Sequence, residues 1–282
     1  MSIQDLQDKL QRHLTYLEQD QTNTNLLLSV GLLQANILHH QHAIPEAIAL
    51  LDDLALKHGL NADIAGLLAL LHLDNNDTVQ AALFSRQALS LSPANYQGQL
   101  VRMLLRTLKQ EVTLAEIEAL IAINPNDCRL WFALGTTQMR HMNITAAELA
   151  FINASTLWPS FYDNWICLGW CQLLLNHLDK ANAAYLEAVQ LDAEGADGWA
   201  GLALVSALKN RRDEANEYLN KAHSLDSDGF LLSVTRIILA NQSSPDMAMK
   251  QFNMAFPEVA PEINRILTQA ILNGDTSERV LH

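Results

Sequence analysis

The chain of 282 residues is poor in positive charge, in glycine and proline, and in cysteine. Lys and Arg number 18 against 31 Asp and Glu, so the formal net charge is −13. This balance argues against a general binder of nucleic acid or of anionic membranes, because both need a basic surface. Gly contributes 11 residues and Pro 7, which excludes collagen-like and low-complexity disordered classes and suits a mainly helical chain.

No segment has the pattern of a secretory signal or of a membrane span. Met1–Asp20 lacks the continuous apolar core of a signal peptide, and no window approaches the roughly 18 apolar residues of a spanning helix. Cys128, Cys167 and Cys171 are an odd number of cysteines, which favours reduced thiols over a disulfide framework. We therefore expect a cytoplasmic protein with no direct membrane insertion.

Six columns of residues recur at an interval of 34 residues in the middle of the chain. One period shared by so many columns indicates a repeat architecture, in which each unit packs mainly on its neighbours. The columns are Trp131, Trp165 and Trp199; Leu134, Leu168 and Leu202; Gly135, Gly169 and Ala203; Ala147, Ala181 and Ala215; Phe151, Tyr185 and Leu219; and Ala154, Ala188 and Ala222.

The spacing inside one unit predicts a helical hairpin. Trp131 and Gly135 are four residues apart, as are Ala147 and Phe151, and each pair therefore shares one face of a helix. The polar residues 140–143 lie between the two helices and predict a turn. Gly135 and Ala147 would let the two backbones approach closely, while Trp131 and Phe151 would fill the space beside them.

The pattern Trp-x2-Leu-Gly…Ala-x3-Phe…Pro resembles the tetratricopeptide repeat (TPR). The match is fullest in residues 128–161, where Pro159 closes the unit and Gln138 replaces the tyrosine frequent in the family. The resemblance implies an all-α fold, a right-handed TPR superhelix or α-solenoid of about seven helical hairpins, with N- and C-terminal capping helices. The single period and the Gln/Asn-rich composition favour a bacterial source.

We expect one elongated domain, because stacked repeats share a continuous core. Residues 1–27 are predicted to form an N-terminal capping helix, with Leu6 and Leu10 on its apolar side. The array covers 28–256 and comprises 28–61, 62–93, 94–127, 128–161, 162–195, 196–229 and a partial unit 230–256. Unit 94–127 is degenerate, and units 62–93 and 94–127 together are two residues shorter than two full repeats. Residues 257–282 are predicted to form a C-terminal capping helix and tail, with Ile263, Ile266, Leu267 and Ile271 on one side.

Common catalytic and nucleotide-binding motifs are absent, and we expect a non-enzymatic protein without a cofactor. His39, His40 and His42 cluster at a predicted turn, and Cys167 and Cys171 share a helix face. Either set could hold a metal ion. A polar turn and small buried residues between helices are the interpretations that we favour, so no metal site is predicted.

The resemblance also implies a binding groove, because the first helix of each repeat lines an inner surface in this family. Equal positions of successive units align there, so Phe132, Ile166 and Trp170 are expected to form an apolar patch. With the register assumed for unit 94–127, Arg102, Arg106 and Arg140 form a positive pocket beside it. The predicted groove residues are Arg102, Arg106, Arg129, Phe132, Thr136, Met139, Arg140, Ile166, Trp170 and Leu204.

We therefore expect an adaptor or scaffold that binds a protein or peptide partner through apolar anchors and, at the arginines, an acidic group. The family's carboxylate clamp for chaperone tails is not reproduced. By analogy, an accessory role in bacterial secretion or envelope assembly fits. Two alternatives stay open: a structural protein that forms homo-oligomers through 263–271 and Leu281, and a sensor of a small acidic ligand at the Arg102/Arg106/Arg140 pocket.

Overall fold

Helices account for all regular structure in the described part of the chain. The computed structural model describes residues 3–226, 229–241 and 244–256, and these contain fifteen α-helices and no strand. The all-α class predicted from the repeat is confirmed. The helices are α1 (Ile3–Gln19), α2 (Thr24–His40), α3 (Ile44–His58), α4 (Ala62–Asp74), α5 (Thr78–Leu91), α6 (Tyr96–Leu108), α7 (Leu114–Ile123), α8 (Cys128–Arg140), α9 (Ile144–Leu157), α10 (Tyr162–Leu174), α11 (Leu178–Leu191), α12 (Ala196–Leu208), α13 (Arg212–Leu225), α14 (Phe230–Ala240) and α15 (Pro245–Ala255).

The chain forms two compact units that divide after Val112, inside the degenerate repeat. In the first unit α1 packs on α2, α2 pairs with α3, and α4 pairs with α5, while α6 packs on α4 and α5. In the second unit α8 pairs with α9, α10 with α11 and α12 with α13, and α14 packs mainly on α12. The seven predicted repeats correspond to seven consecutive pairs of helices, from α2 with α3 to α14 with α15.

The N-terminal helix α1 covers part of α2, as expected of a cap. Leu6 is buried against Leu33 and Ile37 of α2, and Leu10 packs on the same cluster. Ile3 is exposed and does not extend this apolar contact. The predicted C-terminal capping helix and tail, residues 257–282, lie outside the described residues.

Small and aromatic residues meet inside the hairpins of the second unit, as the spacing predicts. Phe151 and Tyr185 are fully buried. A β-carbon added to Gly135 would lie 2.5 Å from Cε1 of Phe151, and one added to Gly169 would lie 2.8 Å from Cε1 of Tyr185. Each glycine is therefore needed because an aromatic ring from the second helix lies directly over the first helix.

The recurrent tryptophans lie at the edge of this core rather than inside it: all three are half-buried, and Trp165 and Trp199 pack against its buried clusters. Trp131 is half-buried, and its indole Nε1 donates a 2.7 Å hydrogen bond to the carbonyl oxygen of Pro125. Trp165 bonds Pro159 in the same way at 2.7 Å, and Trp199 bonds the carbonyl of Ala193 at 2.9 Å. Each tryptophan thus ties the first helix of a repeat to the loop six residues before it, which a sequence period cannot reveal.

One turn residue in each of six successive repeats adopts a left-handed backbone conformation. This residue lies between the first and second helices, where asparagine is well suited and larger side chains are strained. The interval between successive members is 34 residues, except that Met142 follows Gln110 by 32. The residues with positive φ are His42, Asn76, Gln110, Met142, Asn176 and Asn210.

This interval corrects the register that we assumed for unit 94–127. The missing two residues come after the turn at Gln110, since α7 has 10 residues where α9 has 14. Helix α6 has the same length as α8, 13 residues. The equivalents of Thr136 and Arg140 in α6 are therefore Leu104 and Leu108, and the assumed register is wrong by two residues.

Candidate partner-binding face

One face of the second unit carries five of the ten predicted groove residues. We call it the first-helix face and define it by Phe132, Thr136 and Arg140 on α8 and by Ile166 and Trp170 on α10. Steps of four residues place the members of each helix on one side of it. Arg140 is exposed and the other four side chains are half-buried, so all five remain accessible.

The aromatic members of this face are anchored at one side. The ring centroid of Phe132 lies 4.8 Å from that of Phe161 and 5.7 Å from that of Phe151. Trp170 packs on the hydrophobic clusters to either side of α10 and meets Phe230 of α14 edge-on at 6.0 Å. Side chains held in this way lose little conformational entropy on binding, which makes them effective anchors for a partner.

Leu204 does not belong to the accessible surface. It is fully buried, as are all its neighbours in α12 from Ala200 to Leu208. Helix α12 is apolar on every side, which is typical of a helix that is covered all round. Val234 and Ile238 of α14 lie in the same hydrophobic cluster as Leu204, so α14 covers the position that a partner was predicted to reach.

Of the two predicted groove arginines in the second unit, Arg140 alone carries an exposed charge. Its Nη2 lies 3.4 Å from Oγ1 of Thr137, a long contact with a neutral hydroxyl. Arg129 instead makes a bidentate ion pair with the buried Asp127, with both nitrogen–oxygen distances at 2.9 Å. Because Asp127 also caps α8, the charge of Arg129 is neutralised within its own helix start.

Arg102 and Arg106 belong to α6 in the first unit and do not occupy the predicted positions. Arg102 is exposed, and Arg106 donates a 2.6 Å hydrogen bond from Nη2 to the backbone carbonyl of Glu111. In the corrected register, Leu104 and Leu108 occupy the groove positions of α6. The Arg102/Arg106/Arg140 pocket therefore loses the alignment on which it was predicted, and the small-ligand alternative loses its main support.

Thr136 and Met139 differ in what they offer to a partner. Oγ1 of Thr136 donates a 3.0 Å hydrogen bond to the carbonyl of Ala133 in its own helix. Met139 is directed into the packing between α8 and α10, where its sulfur lies 3.8 Å from that of Cys171. We leave Met139 out of the first-helix face for this reason.

Carboxylates gather at the N-terminal ends of α10 and α12. Asp163 and Asp197 are exposed and occupy the same position of consecutive repeats. Partial burial raises the pKa of Asp197, and the nearby charges of Asp226 and Asp163 raise it further. The two helix starts are joined by Tyr162, whose hydroxyl accepts a 3.2 Å hydrogen bond from the backbone nitrogen of Gly198. The face thus has an acidic edge at the start of α10 and α12.

The surroundings of the two cysteines of α10 disfavour ionisation of their thiols. Burial raises the pKa of Cys167 and of Cys171 to about 12, and nearby negative charges contribute less. At pH 8 only a very small fraction of these two thiols is then ionised. Because metal ligation requires the thiolate, this environment disfavours the soft-metal interpretation and fits the packing role that we favoured.

Thiol labelling checks this assignment. In the folded protein at pH 8 we expect Cys167 and Cys171 to react with a disulfide reagent far more slowly than a free thiol, because their thiolate fraction and their exposure are both low. All three cysteines should react at once in denaturing urea. Rapid modification of Cys167 or Cys171 in the native protein, located by peptide mass spectrometry, would contradict the assignment.

The histidine cluster lies where predicted, at the end of α2 and in the following turn. Nε2 of His39 lies 2.7 Å from Oδ2 of Asp74, which links α2 to α4. The rings of His39 and His40 are 6.2 Å apart. Within residues 3–226, 229–241 and 244–256, no three histidine, cysteine or acidic side chains converge in a way that could hold a metal ion.

Paired helices, a 34-residue interval and aromatic–glycine packing define a repeat protein with the tetratricopeptide-repeat fold, as the sequence resemblance indicates. No known family profile matches the chain, and no curated protein sequence matches it either. Solved structures are similar at the level of the fold. PilF of Pseudomonas aeruginosa is 18% identical with a TM-score of 0.53, over 74% of this chain and 97% of PilF.

Two further structures show the same likeness. PilW, described as a widely conserved type IV pilus biogenesis factor, is 20% identical with a TM-score of 0.51, over 73% of this chain and 98% of PilW. A chain of the APC/C heterotetramer Cut9-Hcn1 is 17% identical with a TM-score of 0.58; the match covers 94% of this chain but about half, 52%, of that one. In the residues that the structure describes, every helix is too short or too polar to cross a membrane.

Proposed function

We propose that this protein is a non-catalytic adaptor that binds a partner protein on the first-helix face of its second unit. The observation that carries the proposal is that Phe132, Ile166 and Trp170 stay half-exposed on adjacent helices although each is packed firmly on one side. The core of each hairpin is complete without their outer surfaces. Anchored aromatic side chains of this kind supply most of the binding energy at protein interfaces.

Charge supports the same surface. Arg140 lies at the end of α8, four residues beyond Thr136, and it is exposed in a chain of net charge −13. An exposed cation beside apolar anchors favours a partner that places an acidic group there, which would guide association more than it would increase affinity. Thr136 lies between Phe132 and Arg140 and is small enough to leave the face open.

A single substitution at the centre of the face tests the proposal. We expect Thr136→Arg to lower recovery of the partner from native lysate at least tenfold, because a long cation at this half-buried position would cover the apolar surface. Thr145→Arg is the matched control, since Thr145 is exposed on α9, the second helix of the same hairpin. Quantitative mass spectrometry of proteins retained by wild type, Thr136→Arg and Thr145→Arg gives the measurement.

The outcomes of this experiment separate clearly. A protein retained by wild type and by Thr145→Arg, but lost with Thr136→Arg, supports the assignment and identifies the partner. Equal retention by all three baits would rule out the first-helix face as the binding surface. Circular dichroism of each variant, with unchanged helix content, excludes unfolding as the cause of a loss.

We further propose an accessory role in bacterial secretion or envelope assembly, exerted from the cytoplasm. The likeness to PilW, a pilus biogenesis factor, supports this role by analogy of fold. Cell fractionation tests the location, and the identity of the retained partner tests the pathway. Self-association stays a prediction, since the surfaces suggested for it, 263–271 and Leu281, lie outside the described residues.

A further inference from the structure

We infer that the segment that docks on the first-helix face is an amphipathic helix with apolar anchors and a basic residue at the acidic edge, rather than an extended peptide. The inference rests on the proposed function and names the class of partner for the same surface. It follows from the hydrogen-bonding capacity of the face, from the way α14 already packs beside it, and from the distribution of charge.

The first-helix face offers few hydrogen-bond partners to the backbone of an extended peptide: donors on Trp170 and Arg140, and a single acceptor, the hydroxyl oxygen of Thr136. Desolvated N–H and C=O groups need partners, and repeat helices can supply them only from side chains. Phe132, Ile166 and Trp170 have no group suited to this role except the indole N–H of Trp170. The hydroxyl of Thr136 already donates its proton to its own helix, and Arg140 can only donate.

The side-chain amides of α8 and α10 are buried or hydrogen-bonded within the chain, and the amide oxygens of Asn164 and Gln172, which lack a hydrogen-bond partner in the described part of the chain, are inaccessible. Nδ2 of the buried Asn164 donates a 3.0 Å hydrogen bond to the carbonyl of Phe151. Gln138 accepts a 2.9 Å hydrogen bond from Asn143 in the following turn, and Gln172 is buried. A helix bonds its own backbone and needs only apolar contact from the surface, so it fits this face where an extended strand does not.

Helix α14, the first helix of the next pair, shows that a helix can pack on the equivalent surface of α12. It packs mainly on α12, whose buried residues include Leu204, the equivalent of Trp170 in the next repeat. Phe230 at the start of α14 reaches past α12 to contact Trp170. The small side chain of Ala200 on α12 is buried beside Leu232 of α14 and allows this close approach. The open part of the face on α8 and α10 continues the surface that α14 covers on α12.

Charge sets the polarity of the docked helix. Asp163 and Asp197 mark the N-terminal ends of α10 and α12, and neither makes an ion pair within the described residues. Arg129 cannot offset them, because Asp127 neutralises it. Arg140 lies at the opposite, C-terminal end of α8. A partner helix with a basic residue toward Asp163 and an acidic one toward Arg140 would complement both edges.

Peptides selected by phage display on the immobilised full chain, from a random 12-residue library, provide the probe. Each selected peptide is synthesised in its linear form, with a hydrocarbon staple between i and i+4, and with proline at its centre. Fluorescence anisotropy then measures binding to wild type, Thr136→Arg and Thr145→Arg. We expect apolar residues at i, i+3 or i+4 and i+7, affinity raised severalfold by the staple, and affinity lowered at least tenfold by proline.

A second arm tests the acidic edge. Asp163→Asn should weaken the selected peptides severalfold at low salt, and replacing the basic residue of the peptide by glutamate should weaken them further. Asp213→Asn is the matched control, since Asp213 lies in the first turn of a second helix, α13, and is exposed. Equal affinity for Asp163→Asn and wild type would overturn the charge assignment.

The outcomes distinguish this inference from the proposed function. Peptides that tolerate proline and lose affinity on stapling, yet are blocked by Thr136→Arg, would overturn the helix and leave the face as the binding site. Peptides that bind Thr136→Arg as well as wild type would overturn both. Loss of binding with proline and with Thr136→Arg, but not with Thr145→Arg, supports both.

Discussion

Replacing Phe151 with alanine is expected to lower the free energy of unfolding of the second unit by about 3–5 kcal/mol, the usual range for removing a buried phenylalanine. Phe151 is fully buried between α8 and α10, against Gly135 and beside the ring of Phe132. Its backbone carbonyl also accepts the hydrogen bond of the buried Asn164, which fixes the following repeat. A cavity at this point cannot close readily, because the backbones of two helices already meet there.

Urea unfolding followed by tryptophan fluorescence measures this effect in the relevant part of the chain, because all five tryptophans lie in the second unit. Leu149→Ala is the matched control. Leu149 lies two residues before Phe151 on the same helix but is 59% exposed, so its loss should cost less than about 0.5 kcal/mol. Equal shifts for the two variants would contradict the assignment of Phe151 to the core.

The effect of Gly135→Ala is expected to change sign with the residue at position 151. In wild type, the added β-carbon would lie 2.5 Å from the ring of Phe151, and overpacking of this kind costs typically about 1–3 kcal/mol. The higher helix propensity of alanine offsets up to about 1 kcal/mol of that cost. In a Phe151→Leu background the ring is gone, and Gly135→Ala should become neutral or stabilising by up to about 1 kcal/mol.

Unit 196–229 already has the combination of residues that this experiment creates in unit 128–161. It carries Ala203 where the others have glycine, and Leu219 where they have an aromatic ring. Ala203→Gly should therefore destabilise the protein by about 1–2 kcal/mol, because it lowers helix propensity and removes a fully buried methyl group. The double-mutant cycle at 135 and 151 should show a coupling of about 1 kcal/mol or more. Additive changes in the free energy of unfolding at these two positions would contradict the steric explanation.

The fold class and the helix pairs of the well-matched repeats could be predicted from the sequence because they depend on local periodicity. The 34-residue columns and the helical spacing within them located the helix pairs between residues 128 and 229. The register of the shortened unit 94–127 could not be predicted. After a two-residue deletion, the apolar residues of α6 can be aligned with those of the other repeats in more than one way. The left-handed turn residue Gln110 resolved it, because the turn geometry tolerates no such shift.

For the candidate site, the sequence predicted which residues share a side of one helix. Phe132, Thr136 and Arg140 share one side of α8, and Ile166 and Trp170 share one side of α10. The position of a residue in the repeat does not show which other helix packs against it. The burial of Leu204 depends on α14, which starts 26 residues later in the chain and packs on α12.

The sequence by itself determined that the chain folds as paired helices with a repeated small-and-aromatic core, because each of those features follows from contacts within 34 residues. Only the tertiary structure decided which polar and apolar side chains stay available. Arg129 is neutralised by Asp127, Arg102 and Arg106 fall out of register, and Leu204 is covered. Whether a side chain is available to a partner depends on which other parts of the fold pack on it or neutralise its charge. The repeat period does not contain that information.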